Sequence, residues 1–333
     1  MSFSPRRVPR GRTKRRFSSK KILHNAAYAL LTMVLIAFTV ALIARPERYI
    51  ARCAEGIALW AQCVLPSLFP FMVVCAILIN SGIAARAGAP FKRVCGVLKL
   101  PPCAGVCFIM GATSGYPAGS RAISQFYSAG ALDKRGSFKL ACLCTACGPI
   151  FLIGTVGEAM FSSPQAGSLL LIAHLISVAI PAMIISLAMP RCGGMLLPPQ
   201  QNKNALQESF YGALTAALKA GAFIAFFYTA AQMAQDYYIL YPVEKLLGLI
   251  FGEEQAAAAA SGLIEMTGGC AALAKSGGEF SLPLAGFCVT FGGACVLAQQ
   301  LAYLKACGVR ALPFIAVKFL QGIICFFILL IAT

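Results

Sequence analysis

The sequence is short of acidic and catalytic side chains. It has 11 Asp and Glu, two His and one Trp among 333 residues, and charged residues make up 12% of the chain. Soluble proteins carry about twice that share of charge. The sequence shows no paired carboxylates, no hydrolase triad and no lysine-bearing phosphate loop, so an enzyme is the less favoured class. We expect no catalytic residue and no cofactor.

Positive charge, in contrast, is plentiful and is concentrated at the N-terminus. The chain has 28 Lys and Arg and a net charge of +17, and nine of these basic residues lie within the first 21 positions. An apolar run follows directly. This order is typical of a cytoplasmic tail that contacts anionic lipid, and it favours that role over nucleic-acid binding. We therefore predict a basic cytoplasmic tail at residues 1–24 and no nucleic-acid partner.

Apolar residues make up 59% of the chain, and the mean hydropathy is +0.78. Apolar runs recur from end to end, which is typical of an all-α polytopic membrane protein with one integral domain at residues 25–333. We expect it in the bilayer of a bacterial cell membrane. The predicted spans are 26–44, 57–80, 140–161, 167–189, 211–233, 282–304 and 311–332.

The fifteen cysteines do not indicate disulfides or a metal site. Their number is odd, and most lie inside apolar spans, where cysteine acts as a small hydrophobe that lets helices approach. The run Cys142-Leu-Cys144-Thr-Ala-Cys147 has no second cysteine pair to complete a zinc pattern, and both histidines are distant in sequence. We expect no metal.

Two polar breaks lie between apolar arms that are too short to cross a bilayer. Residues 111–119 read GATSGYPAG, and such a break predicts a re-entrant hairpin at about 100–131. A weaker hairpin is predicted at about 256–274, broken at 266–269. Paired hairpins of this kind mark substrate sites in secondary transporters.

Loop charges predict an inverted repeat. Three loops are basic and are predicted to lie inside: 81–99, which contains Arg86, 121–139, and a loop marked by Arg191 and Lys203. They alternate with loops at 157–165 and 236–281 that are predicted to lie outside. The order span, hairpin, span, span then occurs twice, at about 53–189 and 205–333, after one N-terminal transmembrane helix. The two hairpins enter from opposite sides, so the copies are inverted. Residues 140–148 echo 284–292 at an offset of 144 positions.

The candidate binding residues cluster at the two breaks and where the repeats should cross. Hydroxyl groups, glycines and helix N-termini suit a neutral polar ligand, and an acid inside a membrane hairpin is a functional candidate. The candidates are Thr113, Ser114, Gly115, Tyr116, Thr145, Glu265, Thr267, Gly268 and Thr290.

The sequence leaves alternatives open at each break. The first break is either a ligand site or a structural turn. Glu265 either contacts the ligand, binds a coupling cation, pairs with Lys275 or is wet in a shallow hairpin. Lys219 and Lys318 lie near predicted span ends, where snorkelling accounts for them.

Three motifs resemble a known family. Pro66-Ser-Leu-Phe-Pro70-Phe, the string from Gly111 to Gly119 and Gly148-Pro149 are similar to those of YlbJ-type sporulation integral membrane proteins, which carry the Gate, or nucleoside-recognition, domain. The resemblance runs from about Cys53 to the C-terminus and implies a role in endospore formation. We predict a protein that binds or transports a small polar solute, either nucleoside-like or a cell-envelope precursor. The alternative is a non-transporting scaffold for sporulation partners, and a homo-oligomer is left open.

Overall fold

The computed structural model describes residues 19–81, 83, 91–194 and 204–333. Residues 1–18 of the predicted tail, Arg86 and Lys203 lie outside the described residues. Helix α1 (Ser19–Ala44) begins within the tail predicted at 1–24. The chain divides into one unit up to Glu47 and a second unit from Arg48 to Thr333. The described residues are helical apart from loops and one isolated bridge between Leu132 and Gly194.

The first half of the large unit contains one long helix, a short helix, a broken hairpin, a broken helix and another long helix. Its elements are α2 (Pro46–Leu59), a π-turn (Trp60–Val64), α3 (Leu65–Asn80), α4 (Lys92–Val97), α5 (Ala104–Ser114), α6 (Ala118–Ser128), α7 (Lys134–Cys144), a π-helix (Phe151–Met160) and α8 (Pro164–Ala188).

The second half has the same order of element types. Its elements are α9 (Ala205–Asp236), α10 (Tyr241–Phe251), α11 (Glu253–Gly262), α12 (Met266–Ser276), α13 (Ser281–Phe291), α14 (Gly293–Leu304), a 3-10 turn (Lys305–Cys307) and α15 (Ala311–Ala332).

Local sequence signals explain where these helices begin. Asp133 caps α7, and its carboxylate accepts a hydrogen bond from the Gly136 N–H at 2.6 Å. Ser163 caps α8 through its hydroxyl, and Pro164 follows at the first helical position, where its missing N–H costs no helical hydrogen bond. These caps fix the residues at which α7, the first arm of the broken helix, and α8 begin.

Five helical segments of the described chain are long and apolar enough to cross a membrane, and the chain is a multi-pass membrane protein. They are Pro46–Leu78, Pro164–Ala188, Leu206–Asp236, Ser281–Cys307 and Ala311–Ala332. Shorter apolar helices are Tyr28–Ala44, Ala104–Ser114 and Phe151–Met160.

Two of the predicted spans are interrupted in the structure, so the prediction of an unbroken helix at each was wrong. The span predicted at 140–161 unwinds over residues 145–148, and the span predicted at 282–304 breaks at Gly292 and Gly293, which have φ angles of +89° and +61°. Hydropathy does not detect these breaks because the residues that form them are small or apolar. The second hairpin also breaks earlier than predicted, at 263–265, because Glu265 caps α12.

Glycines bring the first hairpin onto the first broken helix. An added Cβ at Gly111 or at Gly119 would collide with the Cys144 carbonyl. The second half makes a comparable contact, since Ala294 N–H donates to Leu263 O at 2.8 Å and Cys295 N–H to Ile264 O at 2.9 Å. In each half, the hairpin therefore packs against the broken helix close to a break.

Candidate functional site

Tyr116 links the first hairpin to the broken helix of the second half. Its side chain is buried, and its hydroxyl lies 3.1 Å from Val289 O and 3.3 Å from Thr290 O, to which it donates. Both carbonyls lie in the last turn of α13, where helical carbonyls lack intrahelical partners. Gly115, just before Tyr116, permits the turn, since its φ is +68°.

Lys318 and Gln321 of α15 cap the broken helix of the first half. Lys318 Nζ donates to Thr145 O at 2.8 Å, and Gln321 Nε2 donates to Cys142 O at 2.9 Å. The carbonyl end of a helix carries partial negative charge, so a cation is favourable there. The prediction that Lys318 snorkels to the surface was wrong, because its side chain is fully buried.

His174 of α8 completes this arrangement. Its Nε2 accepts the Cys147 N–H at 2.9 Å, so the neutral ring carries its proton on Nδ1, which lies 2.8 Å from Thr290 Oγ1. Sequence reasoning missed His174. One signal could have found it: His174 and Lys318 are separated by 144 positions, the offset that aligns the two broken helices.

These side chains form one buried polar cluster that joins the two halves, which we call the crossing cluster. Its members are Tyr116, Thr145, His174, Thr290, Lys318 and Gln321. Thr145 contributes its carbonyl, since its own hydroxyl donates to Ala141 O at 2.6 Å. The cluster satisfies backbone groups that both helix breaks would otherwise leave unpaired in a membrane.

Glu265 is held at the second break by the helix that it caps. Its Oε1 accepts from Thr267 N–H at 3.0 Å and its Oε2 from Gly268 N–H at 2.7 Å. The carboxylate is fully buried, so the alternative that it is wet in a shallow hairpin is wrong. The neighbouring Thr267 hydroxyl is buried beside this carboxylate.

A central cavity of about 30 Å³ touches both breaks. Tyr116 lines it from the first break, and Glu265 and Thr267 line it from the second, with Gln299 of α14 beside them. A cavity of this size admits about one water molecule. It brings together side chains that lie about 150 positions apart in the sequence.

Ser114 and Thr113 do not reach the central cavity. Ser114 lines a second cavity of about 40 Å³ together with Arg121 and Asn80, and its hydroxyl donates to Phe71 O at 3.4 Å. The Thr113 hydroxyl donates to Ile109 O at 2.7 Å. The turn at Gly115 therefore directs the polar groups before it and Tyr116 after it toward different cavities.

A wider vestibule of about 660 Å³ lies next to the second break. Gly268, whose N–H holds Glu265, contributes to its wall, so the second break touches both this vestibule and the central cavity. Tyr228 donates from its hydroxyl to Glu55 at 3.2 Å across the wall. The other polar lining residues are Gln62, Gln232, Gln235, Glu254, Ser261, Lys275 and Ser276.

The second cavity is closed by hydrogen bonds between the first half and α9. Arg121 Nη1 donates to Gly212 O at 2.9 Å, and Asn80 Nδ2 donates to Ser209 Oγ at 2.9 Å. We call these two contacts the α9 latch. The cavity on the vestibule side, at about 660 Å³, is thus much larger than the cavity of about 40 Å³ on the latch side.

Thiols also line these cavities, with Cys75 in the second cavity and Cys147 in the central one. All fifteen cysteines are free thiols, and most are buried. Within the described residues, no group of three or more His, Cys, Asp or Glu side chains is arranged to hold a metal ion. The polar groups at the breaks are hydroxyl, carboxylate, amide and backbone groups, together with the Cys147 thiol.

Comparison with known proteins finds a similarity that lies within the first half of the large unit. Residues 63–191 match the Gate family, described as nucleoside recognition. The chain is 28% identical over 148 residues to sporulation integral membrane protein YlbJ of Bacillus subtilis (strain 168), a match covering 44% of this chain and 36% of that relative. The match thus spans about a third of the relative's length. No solved structure matches the chain.

Proposed function

Because the chain carries a Gate-family region of the YlbJ type, we propose that it binds a small polar solute between its two hairpin breaks and transports it across the membrane. One observation carries this proposal: Tyr116 from the first break and Glu265 and Thr267 from the second line the same cavity. Its relative is named for sporulation, and we propose the same setting for this chain. No residue is assigned a catalytic role.

The proposed architecture is an inverted repeat with two re-entrant hairpins. The arms α5 and α6 have 11 residues each, about half the length that spans a bilayer. The order of element types recurs in the second half, which supports the repeat. The basic tail and loops favour a cytoplasmic N-terminus, and this orientation puts the vestibule outside and the α9 latch inside.

Solute movement requires the central cavity to widen. Pockets for small molecules measure about 300–1,000 Å³, so the vestibule of about 660 Å³ can admit a solute and the central cavity of about 30 Å³ cannot. We interpret the structure as open on the vestibule side and closed at the centre. The buried Thr267 hydroxyl and the Glu265 carboxylate would contact the solute when the breaks separate.

A thermal-stability screen tests binding across several classes of solute at once. The protein in lipid nanodiscs is heated with nucleosides, amino sugars and small carboxylic acids, because hydroxyl groups and helix N-termini suit all three. A ligand at 100 times its Kd stabilises a protein by about 2.7 kcal/mol, and each hit is then tested for uptake into proteoliposomes.

Paired threonine variants locate the site. Thr267→Val removes the buried hydroxyl with little change in shape, so we expect it to weaken binding of a hit by more than any change in basal stability accounts for. Thr229→Val is the control, because the Thr229 hydroxyl donates within α9 to Ala225 O. Equal affinities in both variants would remove Thr267 from the site.

The same screen separates transport from the scaffold alternative. If no compound is bound or taken up, while loss of the protein still blocks spore formation, the transport proposal fails and the scaffold role leads. Homo-oligomerisation is compatible with both functions.

A further inference from the structure

Lys318 is a buried basic group within a membrane-spanning helix. It is the eighth residue of α15 and is fully buried. The ion pairs of the described residues join Arg48 to Asp236 and Arg52 to Glu55, and Lys318 takes part in neither. Ionisable side chains at such positions are costly and mark ion or proton pathways.

Every element packed against Lys318 presents a group that is neutral in its ordinary form. The ionisable groups that face it are the phenol of Tyr116, the imidazole of His174 and the thiols of Cys142, Cys147 and Cys325. No carboxylate is among them. A protonated Lys318 therefore has no counter-charge within the described residues.

The hydrogen bonds of Lys318 suit a neutral amine, whereas its wider surroundings suit an ammonium. An ammonium has three N–H donors, but two acceptors are present: Thr145 O at 2.8 Å and the Tyr116 hydroxyl oxygen at 3.4 Å. In contrast, the carbonyl end of α7 and the Tyr116 ring, 5.4 Å away, both stabilise a cation. The surroundings of Lys318 therefore stabilise both its neutral and its protonated form.

We propose that Lys318 is a proton-binding site that couples solute movement to proton movement. This proposal deepens the transport function and rests on it. On release, one ammonium N–H bond breaks, its electron pair stays on Nζ, and the proton bonds to the Tyr116 hydroxyl oxygen, 3.4 Å away. The phenol's own proton leaves its carbonyl acceptors in the same step and bonds to a water molecule in the central cavity, which Tyr116 lines, forming hydronium.

Charge displacement after a pH jump tests this site without any solute. Proteoliposomes adsorbed on a solid-supported membrane receive a step from pH 8 to pH 6, and protein-free liposomes give the background. We expect a transient current from the unaltered protein that falls at least about tenfold in Lys318→Met. Lys318→Arg should lose the current equally, because a guanidinium stays protonated at both pH values while it keeps donors for the helix carbonyls.

A lysine outside the crossing cluster serves as the control. Lys219→Met removes an exposed lysine of α9 and should keep the current. A current that persists in correctly folded Lys318→Arg, or no current from the unaltered protein, overturns the proton site. Solute binding is measured in the same preparations. Bound solute with no current refutes this inference and leaves the solute site in place. Current without solute binding or uptake refutes the transport function and the coupling, and leaves Lys318 as a proton-binding site.

Discussion

Replacing Gly115 with alanine should disrupt the packing of the first hairpin against the first broken helix. Gly115 has φ +68° and ψ −157°, a region that is essentially restricted to glycine and costs another residue about 1–3 kcal/mol. Its added Cβ would also lie 2.5 Å from Gly148 N and 3.0 Å from Gly148 Cα. Backbone cannot move aside as a side chain can, so overpacking should add about 1–3 kcal/mol.

Gly277 provides a matched control for this variant. Its φ of 65° and ψ of −169° are close to those of Gly115, but no atom lies within 4 Å of its ideal Cβ position. Gly277→Ala should therefore suffer the backbone strain alone, and Gly115→Ala should be less stable by about 1–3 kcal/mol.

Thermal unfolding in nanodiscs measures the difference. A change of 1 kcal/mol shifts Tm by about 2–4 °C in domains of 150–250 residues, so Gly115→Ala should unfold at least about 2 °C below Gly277→Ala. We also expect Gly115→Ala to lose binding of any hit from the solute screen. Equal Tm values would refute the tight approach between the two breaks.

Three further outcomes can be measured on the same protein. Glu265→Gln should lower stability by about 1 kcal/mol, because it removes the charge that caps α12. Glu158→Gln, at an exposed position in the last turn of the π-helix, should not. Arg121→Ala should raise the rate at which maleimide labels Cys75, which lines the latch-side cavity. The expected rise is about 10- to 100-fold, since a hydrogen bond from a charged group contributes about 1.5–3 kcal/mol. An unchanged rate, or an equal rise in the exposed variant Arg135→Ala, would contradict the latch. Cysteines introduced at positions 20 and 253 should be labelled from opposite sides of the membrane, and labelling from one side would contradict the inverted repeat.

Hydropathy and glycine patterns predict much of the helical framework of this chain. The helical class, the long helices of both halves and the break at Gly115 follow from apolar run lengths and backbone freedom. The breaks in the two broken helices do not, because hydropathy treats residues 145–148 and Gly292 as ordinary span residues. Their backbone groups are satisfied by side chains far away in sequence, which a local pattern does not contain.

The candidate site was predictable where chemistry is local and not where it depends on packing. Glu265 and Thr267 adjoin a visible break, whereas His174 and Lys318 lie in apolar helices that look lipid-facing. Ser114 and Tyr116 are two positions apart, yet the φ of +68° at Gly115 separates their environments. Any glycine can adopt a backbone angle of this kind, so the sequence does not predict the angle or the directions of the flanking side chains.

The capping of α7 by Lys318 and Gln321 has a consequence for biogenesis. The carbonyls of Cys142 and Thr145 belong to the first half, but their donors lie on α15, more than 170 positions later in the sequence. Each unsatisfied backbone group costs several kcal/mol in lipid, so we expect the first half to stay incomplete in the membrane until α15 has been synthesised and has packed against it. A quality-control protease that recognises intramembrane polar groups should therefore degrade chains truncated before α15, although the region that matches the Gate family is intact in those chains.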